Sequence, residues 1–213
     1  MENELNIVNL LYSWRIAEAK KRLEGKLSNE IYATDLIYCP LKYRYQRTYS
    51  ELALGTAFNP VTLYGEIIHQ GLEKLLSILF GEDNVRVEVE YEKNIQLDLD
   101  KNTYAYVIKG RIDAIVGDYI IEIKSGSSDR NLPYEQHIIQ ARIYMWLSNL
   151  DKAILLYVTP NRIVEYQITG TMSDKEITEL VKSIITGQPA PRYIWECKYC
   201  IYSILCPFKR TLT

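Results

Sequence analysis

The sequence contains no uninterrupted apolar run of the roughly 18 residues that a membrane-spanning helix requires. Its first residues, MENELNIVNLL, carry acidic side chains and lack the cationic stretch and apolar core of a secretion signal, so we expect a cytoplasmic location. A G-x-x-x-x-G-K-[ST] loop is also missing, and we therefore expect no ATP-driven motor in this chain. No internal repeat or low-complexity linker divides the sequence.

Charge is nearly balanced along the 213 residues, with 27 acidic against 25 basic side chains and a net charge of −2. This balance argues against a protein that coats nucleic acid by charge alone. A nuclease is not excluded, because phosphate can bind one local patch and a metal ion brings positive charge of its own. With 47% hydrophobic and 24% charged residues, the composition is typical of a folded chain.

The spacing of apolar residues predicts alternating helices and strands. Helices are predicted at 1–30, from Thr34 or Asp35 through the segment DLIYCPLKYRYQRTY with a bend or break at Pro40, at 61–81, from about Pro133 to Leu150, and from Ser173 through Ile185. Strands are predicted at 85–91, 103–110, 111–116, 119–126, 153–160 and 163–169. This order predicts an α/β or α+β domain with a mixed sheet.

Two carboxylates are predicted to meet across a tight hairpin. If Gly117-Asp118 forms a two-residue turn, the register places Asp113 directly opposite Glu122. Like charges so placed are destabilising, and a divalent cation such as Mg²⁺ or Mn²⁺ is the simplest partner for both. Lys124 projects from the same face as Glu122 and could position a water or stabilise charge on a phosphate. Alternatively, Lys124 only neutralises Glu122 at a solvated sheet edge.

His69 lies on the predicted helix 61–81, where it shares a face with Gly65. The missing side chain at Gly65 would allow the helix to approach the sheet closely. A lone histidine on an apolar face is more typical of a hydrogen-bonded core residue, but beside two carboxylates it becomes a candidate Mn²⁺ ligand. The flanking Glu66 and Glu73 are predicted to be a solvated stripe, with a second ion as the alternative.

The four cysteines form a C-x2-C-x5-C segment near the C-terminus and one distant residue: Cys197, Cys200, Cys206 and Cys39. Without a secretion signal, metal thiolates are favoured over two disulfides. Three close cysteines plus a remote one differ from the paired C-x2-C knuckles of zinc ribbons, and Cys-Pro occurs in iron–sulfur ligation. An iron–sulfur cluster that ties residue 39 to the C-terminal segment is therefore predicted, with zinc as the alternative.

Basic and aromatic residues alternate on both sides of this predicted cluster. If the cluster joins the two segments, they could form a groove that stacks bases and binds the phosphates of single-stranded DNA. Solvated helix faces are the alternative. The candidate DNA-binding residues are Lys42, Arg44, Arg47, Arg192 and Lys198.

Four short segments, taken in order, carry a resemblance to a known family. They are GEIIH (65–69), GRID (110–113), EIKSG (122–126) and QARIY (140–144). Their order resembles the motifs of RecB-like nucleases of the PD-(D/E)xK superfamily. With the four cysteines added, the chain resembles the CRISPR-associated four-cysteine RecB-like exonucleases. The match extends over residues 31–208.

The resemblance implies a role for each motif residue. It implies a restriction-endonuclease-like core with a mixed sheet flanked by helices, and a Mg²⁺- or Mn²⁺-dependent deoxyribonuclease. Metal ligands would be His69, Asp113, Glu122 and the carbonyl of Ile123. Lys124 would be catalytic beside Asp113 and Glu122, and the residues Gln140 and Tyr144 would line the site.

The resemblance also implies a substrate, partners and a division of the chain. The substrate would be single-stranded DNA or DNA ends, degraded from the 5′ end and trimmed before spacers enter a CRISPR array beside the CRISPR integrase. A DNA-end-binding adaptor with weak catalysis is the alternative function. The cluster would be [4Fe–4S], with [2Fe–2S] as the alternative, and a homo-oligomer is left open. Residues 1–30 would be a helical extension, 31–60 and 187–213 the cluster- and DNA-binding part, and 61–186 the nuclease core.

Overall fold

The computed structural model describes residues 5–211. Its helices are α1 (Ile7–Glu24), α2 (Ala33–Ile37), α3 (Pro40–Thr48), α4 (Ser50–Leu54), α5 (Pro60–Phe80), α6 (Glu135–Ser148), α7 (Asp174–Thr186) and α8 (Glu196–Tyr199). Its strands are β1 (Glu30–Tyr32), β2 (Val85–Leu99), β3 (Asn102–Val116), β4 (Tyr119–Ser125), β5 (Lys152–Val158) and β6 (Ile163–Thr169). Two 3-10 turns, Gly55–Phe58 and Glu82–Asn84, flank α5.

The strands form one six-stranded mixed sheet, as the sequence predicts. Along one path the order is β1-β3-β4-β5-β6, and β2 pairs with β3 along its length. The β1–β3 and β4–β5 pairs are parallel, whereas β2–β3, β3–β4 and β5–β6 are antiparallel. Strands β1 and β4 therefore share one edge of β3: β1 pairs with it near residue 108 and β4 near residue 115.

Helices cover both faces of the sheet. The larger core includes α2, α6 and α7, with buried side chains such as Leu36, Met145 and Val181 packed against Ile112 of β3. The smaller core lies beneath α5 and includes Ala114, Ile121 and Ile123. Burial of apolar surface on both faces stabilises the sheet and fixes where α5 and α6 lie relative to β3 and β4.

Helix α1 is held to the rest of the chain by a buried arginine. Arg15 is only 6% exposed, and its guanidinium donates to the Ala57 carbonyl at 2.8 Å, to Glu66 at 3.0 Å and to Thr62 at 2.6 Å. These bonds tie α1 to the first turns of α5. None of the helices described between residues 5 and 211 is both long and apolar enough to cross a membrane.

Several predicted boundaries are confirmed and others are wrong. The helix over 61–81 is confirmed as α5, which ends at Phe80 with Gly81 as its C-cap, and the break at Pro40 separates α2 from α3. The Ser173–Glu176 capping box opens α7 as predicted. Two predicted helix starts are wrong. Helix α2 begins at Ala33, before the predicted caps at Thr34 or Asp35, and α6 begins at Glu135, which leaves Pro133 outside its first turn.

Candidate active site

The predicted hairpin turn at Gly117-Asp118 is present, but its ladder is shorter than expected. The last pair between β3 and β4 is Ala114–Ile121, so Asp113 and Glu122 lie one position beyond it. On the other side, the β2–β3 register passes from Val87–Ala114 to Val89–Ile112 and skips Asp113. Asp113 therefore lies where β3 leaves its regular pairing with both neighbouring strands.

Side-chain alternation along β3 also changes at Asp113. Ile112 and Ile115 both pack in the larger core, although a strand of strict period two would place them on opposite faces. Opposite Asp113, Glu88 has a φ of 53°, a left-handed conformation that non-glycine residues rarely adopt. Such irregularities redirect side chains next to functional sites. The β3–β4 pairing ends at the same place, and the space between the two strands beyond the Ala114–Ile121 pair is called the gap below.

The Asp113 carboxylate lies in this gap and contacts two other elements. Its Oδ2 accepts a hydrogen bond from the Ile123 backbone N–H at 2.8 Å and lies 3.4 Å from His69 Nδ1 on α5. The pKa of His69 is raised, because the hydrogen bond and charge of Asp113 outweigh its partial burial. The structure thus brings together His69 and Asp113, two of the four predicted metal ligands, while Ile123 contacts Asp113 through its N–H and metal ligation by its carbonyl stays a prediction.

Glu122 faces a chain of hydrogen bonds that runs to α6. Lys124 Nζ donates to Glu122 Oε1 at 2.7 Å and to Gln140 Oε1 at 2.8 Å, and Gln140 Nε2 donates to the Tyr144 hydroxyl at 3.0 Å. Glu122 is 2% exposed, so Lys124 is not neutralising a solvated sheet edge. These hydrogen bonds fix the ammonium of Lys124 on one side of the gap that holds Asp113.

Burial and neighbouring charges together raise the pKa values of both Glu122 and Lys124. Burial raises the pKa of Glu122 to about 7, Asp113 adds to the rise, and Lys124 opposes it. Burial alone would lower the pKa of Lys124, but attraction to Glu122 outweighs it and the pKa is raised. Lys124 thus stays cationic, and the second oxygen of Glu122, Oε2, is buried without a hydrogen-bond partner.

Glu73 was predicted to belong to a solvated stripe, and this expectation is wrong. It is 8% exposed, and its carboxylate lies with His69 and Asp113 in a group whose potential ligand atoms are all within 4.8 Å of one another. The carboxylate of Glu122, turned toward Lys124, is not part of that group among the residues described. The spacing of His69 and Glu73, one helical turn apart, was the available signal. Glu66, in contrast, is exposed enough to reach solvent and pairs with Arg15.

Two glycines of the quoted motifs allow close approach of helices to the sheet. At Gly65, a Cβ would lie 3.3 Å from Ser125 Oγ at the end of β4, as the predicted helix–sheet approach requires. At Gly110, a Cβ would lie 2.6 Å from Leu147 and 2.9 Å from the ring of Tyr144 on α6. Gly110 thus sets the distance at which α6 presents Gln140 and Tyr144 to the gap.

Substitution of Gly110 by alanine is therefore expected to overpack the α6 interface. We expect Gly110→Ala to lower the free energy of unfolding by about 1–3 kcal/mol. Gly71→Ala is the matched control, since Gly71 lies on α5 with nothing within 4 Å of the added Cβ. The control is expected to stabilise the chain by about 0.5–1 kcal/mol. Urea unfolding measures both, and equal stabilities for the two variants would contradict the close approach.

The four cysteines converge on one cavity of about 260 Å³ between α3 and the C-terminal segment. Burial raises the pKa of the Cys39 and Cys200 thiols, and the Arg210 backbone N–H donates to Cys197 Sγ at 3.4 Å. Glu196 joins the two segments, because its side chain accepts from the Cys39 N–H at 2.8 Å and from the Tyr193 N–H at 2.9 Å. Distant parts of the sequence thus form a single thiol-lined site.

The predicted DNA-binding residues divide into two sets around this cavity. Lys42 lies over the Tyr38 ring at 5.2 Å and lines the cavity, whereas Lys198 lies over the Tyr199 ring at 5.4 Å and does not line it. The arginines are engaged within the chain. Arg44 donates to the Ile185 carbonyl, Arg47 to the carbonyls of Leu27 and Glu30, and Arg192 to Ser183. A DNA contact by any of the five stays a prediction.

Comparison with known proteins agrees with the geometry. Residues 81–207, more than half of the chain, match the model of the PD-(D/E)XK nuclease superfamily. The chain is 43% identical over 202 residues to the CRISPR-associated exonuclease Cas4 of Saccharolobus solfataricus, a match that covers 90% of this chain and 96% of that protein. The crystal structure of SSO0001 matches with a TM-score of 0.89 and 40% identity, and covers 97% of this chain and 98% of that chain.

Proposed function

This chain belongs to the Cas4 family of CRISPR-associated exonucleases within the PD-(D/E)XK nuclease superfamily, and we propose that it hydrolyses single-stranded DNA with Mg²⁺ or Mn²⁺. One observation carries the proposal. In the gap between β3 and β4, the Asp113 carboxylate meets His69 on one side, while Glu122 and a buried cationic Lys124 lie on the other. Oxygen and imidazole ligands beside an ammonium suit phosphodiester hydrolysis.

The residues present fit a divalent cation. Asp113, Glu122, His69 and the carbonyl of Ile123 would hold it, and the buried Glu122 Oε2 lacks any other partner. A bound cation would polarise the scissile phosphate and lower the pKa of a water. Lys124 orients that water or stabilises charge on the phosphate. Gln140 fixes the position of the Lys124 ammonium, and Tyr144 fixes the Gln140 amide in turn.

We also propose that the thiol-lined cavity holds an iron–sulfur cluster, with [4Fe–4S] favoured over [2Fe–2S]. Four thiols from two distant segments line about 260 Å³ of space, and four thiolate ligands with Cys-Pro steps fit a cluster of several iron atoms. A zinc ion on the same four thiols is the alternative. The bound cluster would supply a structural tie between α3 and the C-terminal segment.

In the cell, we propose that the enzyme trims DNA ends from the 5′ end before the CRISPR integrase inserts them. The proposal rests on the family and on the position of Lys42 in the lining of the cavity, where it could guide a single strand.

The test uses single-stranded DNA labelled at its 5′ or its 3′ end. Mn²⁺ or Mg²⁺ is expected to support stepwise loss of the 5′ label, and EDTA to abolish it. Asp113→Asn is expected to slow cleavage on the order of 100-fold, because the carboxylate shared by His69 and Ile123 loses its charge. Asp118→Asn is the matched control, since Asp118 is exposed at the hairpin turn and pairs with Lys152.

The outcomes distinguish a nuclease from the adaptor. Equal rates for wild type and Asp113→Asn would refute the enzyme assignment. Absence of cleavage by wild type, with DNA ends retained and the integrase captured, would favour a DNA-end-binding adaptor. If the 3′ label were lost first, the nuclease assignment would stand and the direction of degradation would be 3′ to 5′.

A further inference from the structure

Helix α6 carries a histidine that none of the four sequence motifs includes. His137 lies three residues before Gln140, so the two side chains are neighbours on one helical face. Gln140 accepts a hydrogen bond from the Lys124 ammonium. In the parallel β4–β5 pair, Lys124 is in register with Tyr157, and both side chains face α6. His137 therefore lies over the same part of the sheet as the Lys124 ammonium.

The hydrogen bonds of the Tyr157 hydroxyl decide which imidazole nitrogen of His137 carries the proton. The hydroxyl oxygen lies 2.8 Å from His137 Nδ1 and accepts a hydrogen bond from the Tyr134 backbone N–H at 3.1 Å. Because a backbone N–H can only donate, the hydroxyl keeps its own proton to donate to Nδ1. Nδ1 is then the acceptor, and the hydrogen-bond network assigns the proton of the neutral ring to Nε2.

Burial and the charge of Lys124 keep this imidazole neutral. They lower the pKa of His137 to about 3, and burial is the larger cause. The ring is also held in place, because the centroids of the Tyr134 and Tyr157 rings each lie 5.6 Å from its own. A neutral imidazole with a fixed orientation and tautomer is suited to donating one hydrogen bond.

The Nε2 atom of His137 is the open end of this arrangement. Within residues 5–211 it makes no hydrogen bond, and it is not one of the polar atoms that are buried without a partner. Its N–H is therefore accessible from solvent, on a ring close enough to Lys124 to feel its charge. A neutral N–H near an ammonium suits a ligand oxygen that carries negative charge, and the phosphates of DNA supply such oxygens.

We propose that His137 Nε2–H donates to a phosphate oxygen of the bound DNA strand, next to the scissile phosphate that Lys124 faces. The inference rests on the proposed function, which places a DNA strand at the gap. Tyr157 is then a positioning residue, because it acts through the tautomer of His137. Phosphate contacts fix the register of a strand without reading its sequence. His137 holds the strand in register, and Lys124 acts on the phosphate that is cleaved.

The test compares two amide substitutions at one position. The side-chain amide of His137→Gln can place an N–H near the position of Nε2, whereas that of His137→Asn reaches only as far as Nδ1. Binding of labelled single-stranded DNA is measured by fluorescence anisotropy in EDTA, on the full chain with its cysteine-bound cofactor in place. His137→Asn is expected to weaken binding about tenfold, and His137→Gln less than about threefold.

A purely structural role for His137 predicts the opposite order. If the ring served only to receive the Tyr157 hydroxyl, asparagine would replace it better, because its amide oxygen lies near the position of Nδ1. Weaker binding by His137→Gln than by His137→Asn would therefore overturn the proposal. Equal affinities of the two variants would overturn it as well.

DNA with one neutral methylphosphonate linkage next to the scissile phosphate tests the contact from the side of the ligand. This linkage is expected to weaken binding to wild type about tenfold, because the charged oxygen that receives the N–H is gone. It is expected to weaken binding to His137→Asn much less, because that contact is already lost. Equal losses in the two proteins would show that His137 does not contact this phosphate.

Nitrogen-15 NMR of the imidazole side chains tests the tautomer without DNA. The chain has two histidines, so the signals lost in His137→Gln assign the ring. Wild type is expected to carry the His137 proton on Nε2, and Tyr157→Phe to lose this preference. A proton on Nδ1 of His137 in wild type would overturn the assignment.

The binding and cleavage assays separate this inference from the proposed function. If wild type binds DNA, with His137→Asn weaker than His137→Gln, but cleaves none, the phosphate contact stands and the nuclease function is refuted. If wild type cleaves DNA and His137→Asn binds it as tightly as wild type does, the nuclease function stands and the contact is refuted. If wild type binds no single-stranded DNA, both are refuted.

Discussion

Lys124→Met is expected to slow metal-dependent DNA cleavage by about 10³-fold while the fold is kept. The ammonium lies between Glu122 and Gln140, where it can orient a water or stabilise charge on a phosphate. Removal of a group in this role costs about 10²–10⁴ in rate. Methionine retains much of the length of lysine without its charge. Single-turnover cleavage of labelled single-stranded DNA, at saturating Mn²⁺, measures the loss.

Lys152→Met is the matched control for this substitution. Lys152 lies on the neighbouring strand β5, pairs with the exposed Asp118, and is far more exposed than Lys124. Surface ion pairs contribute about 0–1 kcal/mol, so its loss is expected to leave both stability and cleavage nearly unchanged. A similar loss of cleavage in both variants, or no loss in Lys124→Met, would show that Lys124 takes no specific part in the reaction.

Cys197→Ser is expected to lose the bound iron and to lower the thermal midpoint by about 10–20 °C. The cluster would connect Cys39 with the segment around Glu196, 157 positions later in the chain. Closing a loop of that length is worth on the order of 5 kcal/mol, and each kcal/mol shifts the midpoint of such a chain by about 2–4 °C. Visible absorbance and metal analysis measure the loss of iron, and thermal unfolding under anaerobic conditions measures the change in the midpoint.

Ser203→Ala serves as the control, because Ser203 lines the same cavity without offering a thiolate. This variant is expected to keep its iron and its thermal midpoint. Zinc rather than iron in the wild-type protein would overturn the cluster assignment. Full iron content in Cys197→Ser would show that Cys197 is not a ligand.

Local sequence patterns were sufficient to predict the parts of the site that lie on a single strand, helix or turn. The Gly117-Asp118 turn and the alternation of β4 placed Glu122 and Lys124 on the same face, and the structure confirms that they meet. The fine position of Asp113 was not predictable. Its contact with the Ile123 N–H occurs where the β3–β4 ladder ends one pair early, and Glu88 on β2 adopts an irregular conformation opposite the same position.

Features that depend on docking between distant segments were missed. The burial of Glu73 depends on how α5 packs on the sheet, and its one-turn spacing from His69 was the only signal of it within the helix. The short strand β1 has only three residues and is fixed by its parallel pairing with β3. The turn between β2 and β3 was not predicted. Asp100 and Lys101 adopt positive φ values there, and the sequence has no glycine at either position to indicate such a turn. Gly110 was predicted to end a strand, yet β3 continues through it.

The hydrogen bonds of Glu196 have a consequence for maturation of the protein. They join the Cys39 backbone to the C-terminal segment through protein atoms, in addition to any tie that the thiols make through a bound cofactor. We expect this contact to limit how far the two segments separate when the cofactor is lost, so that oxidised protein could be reloaded without complete refolding.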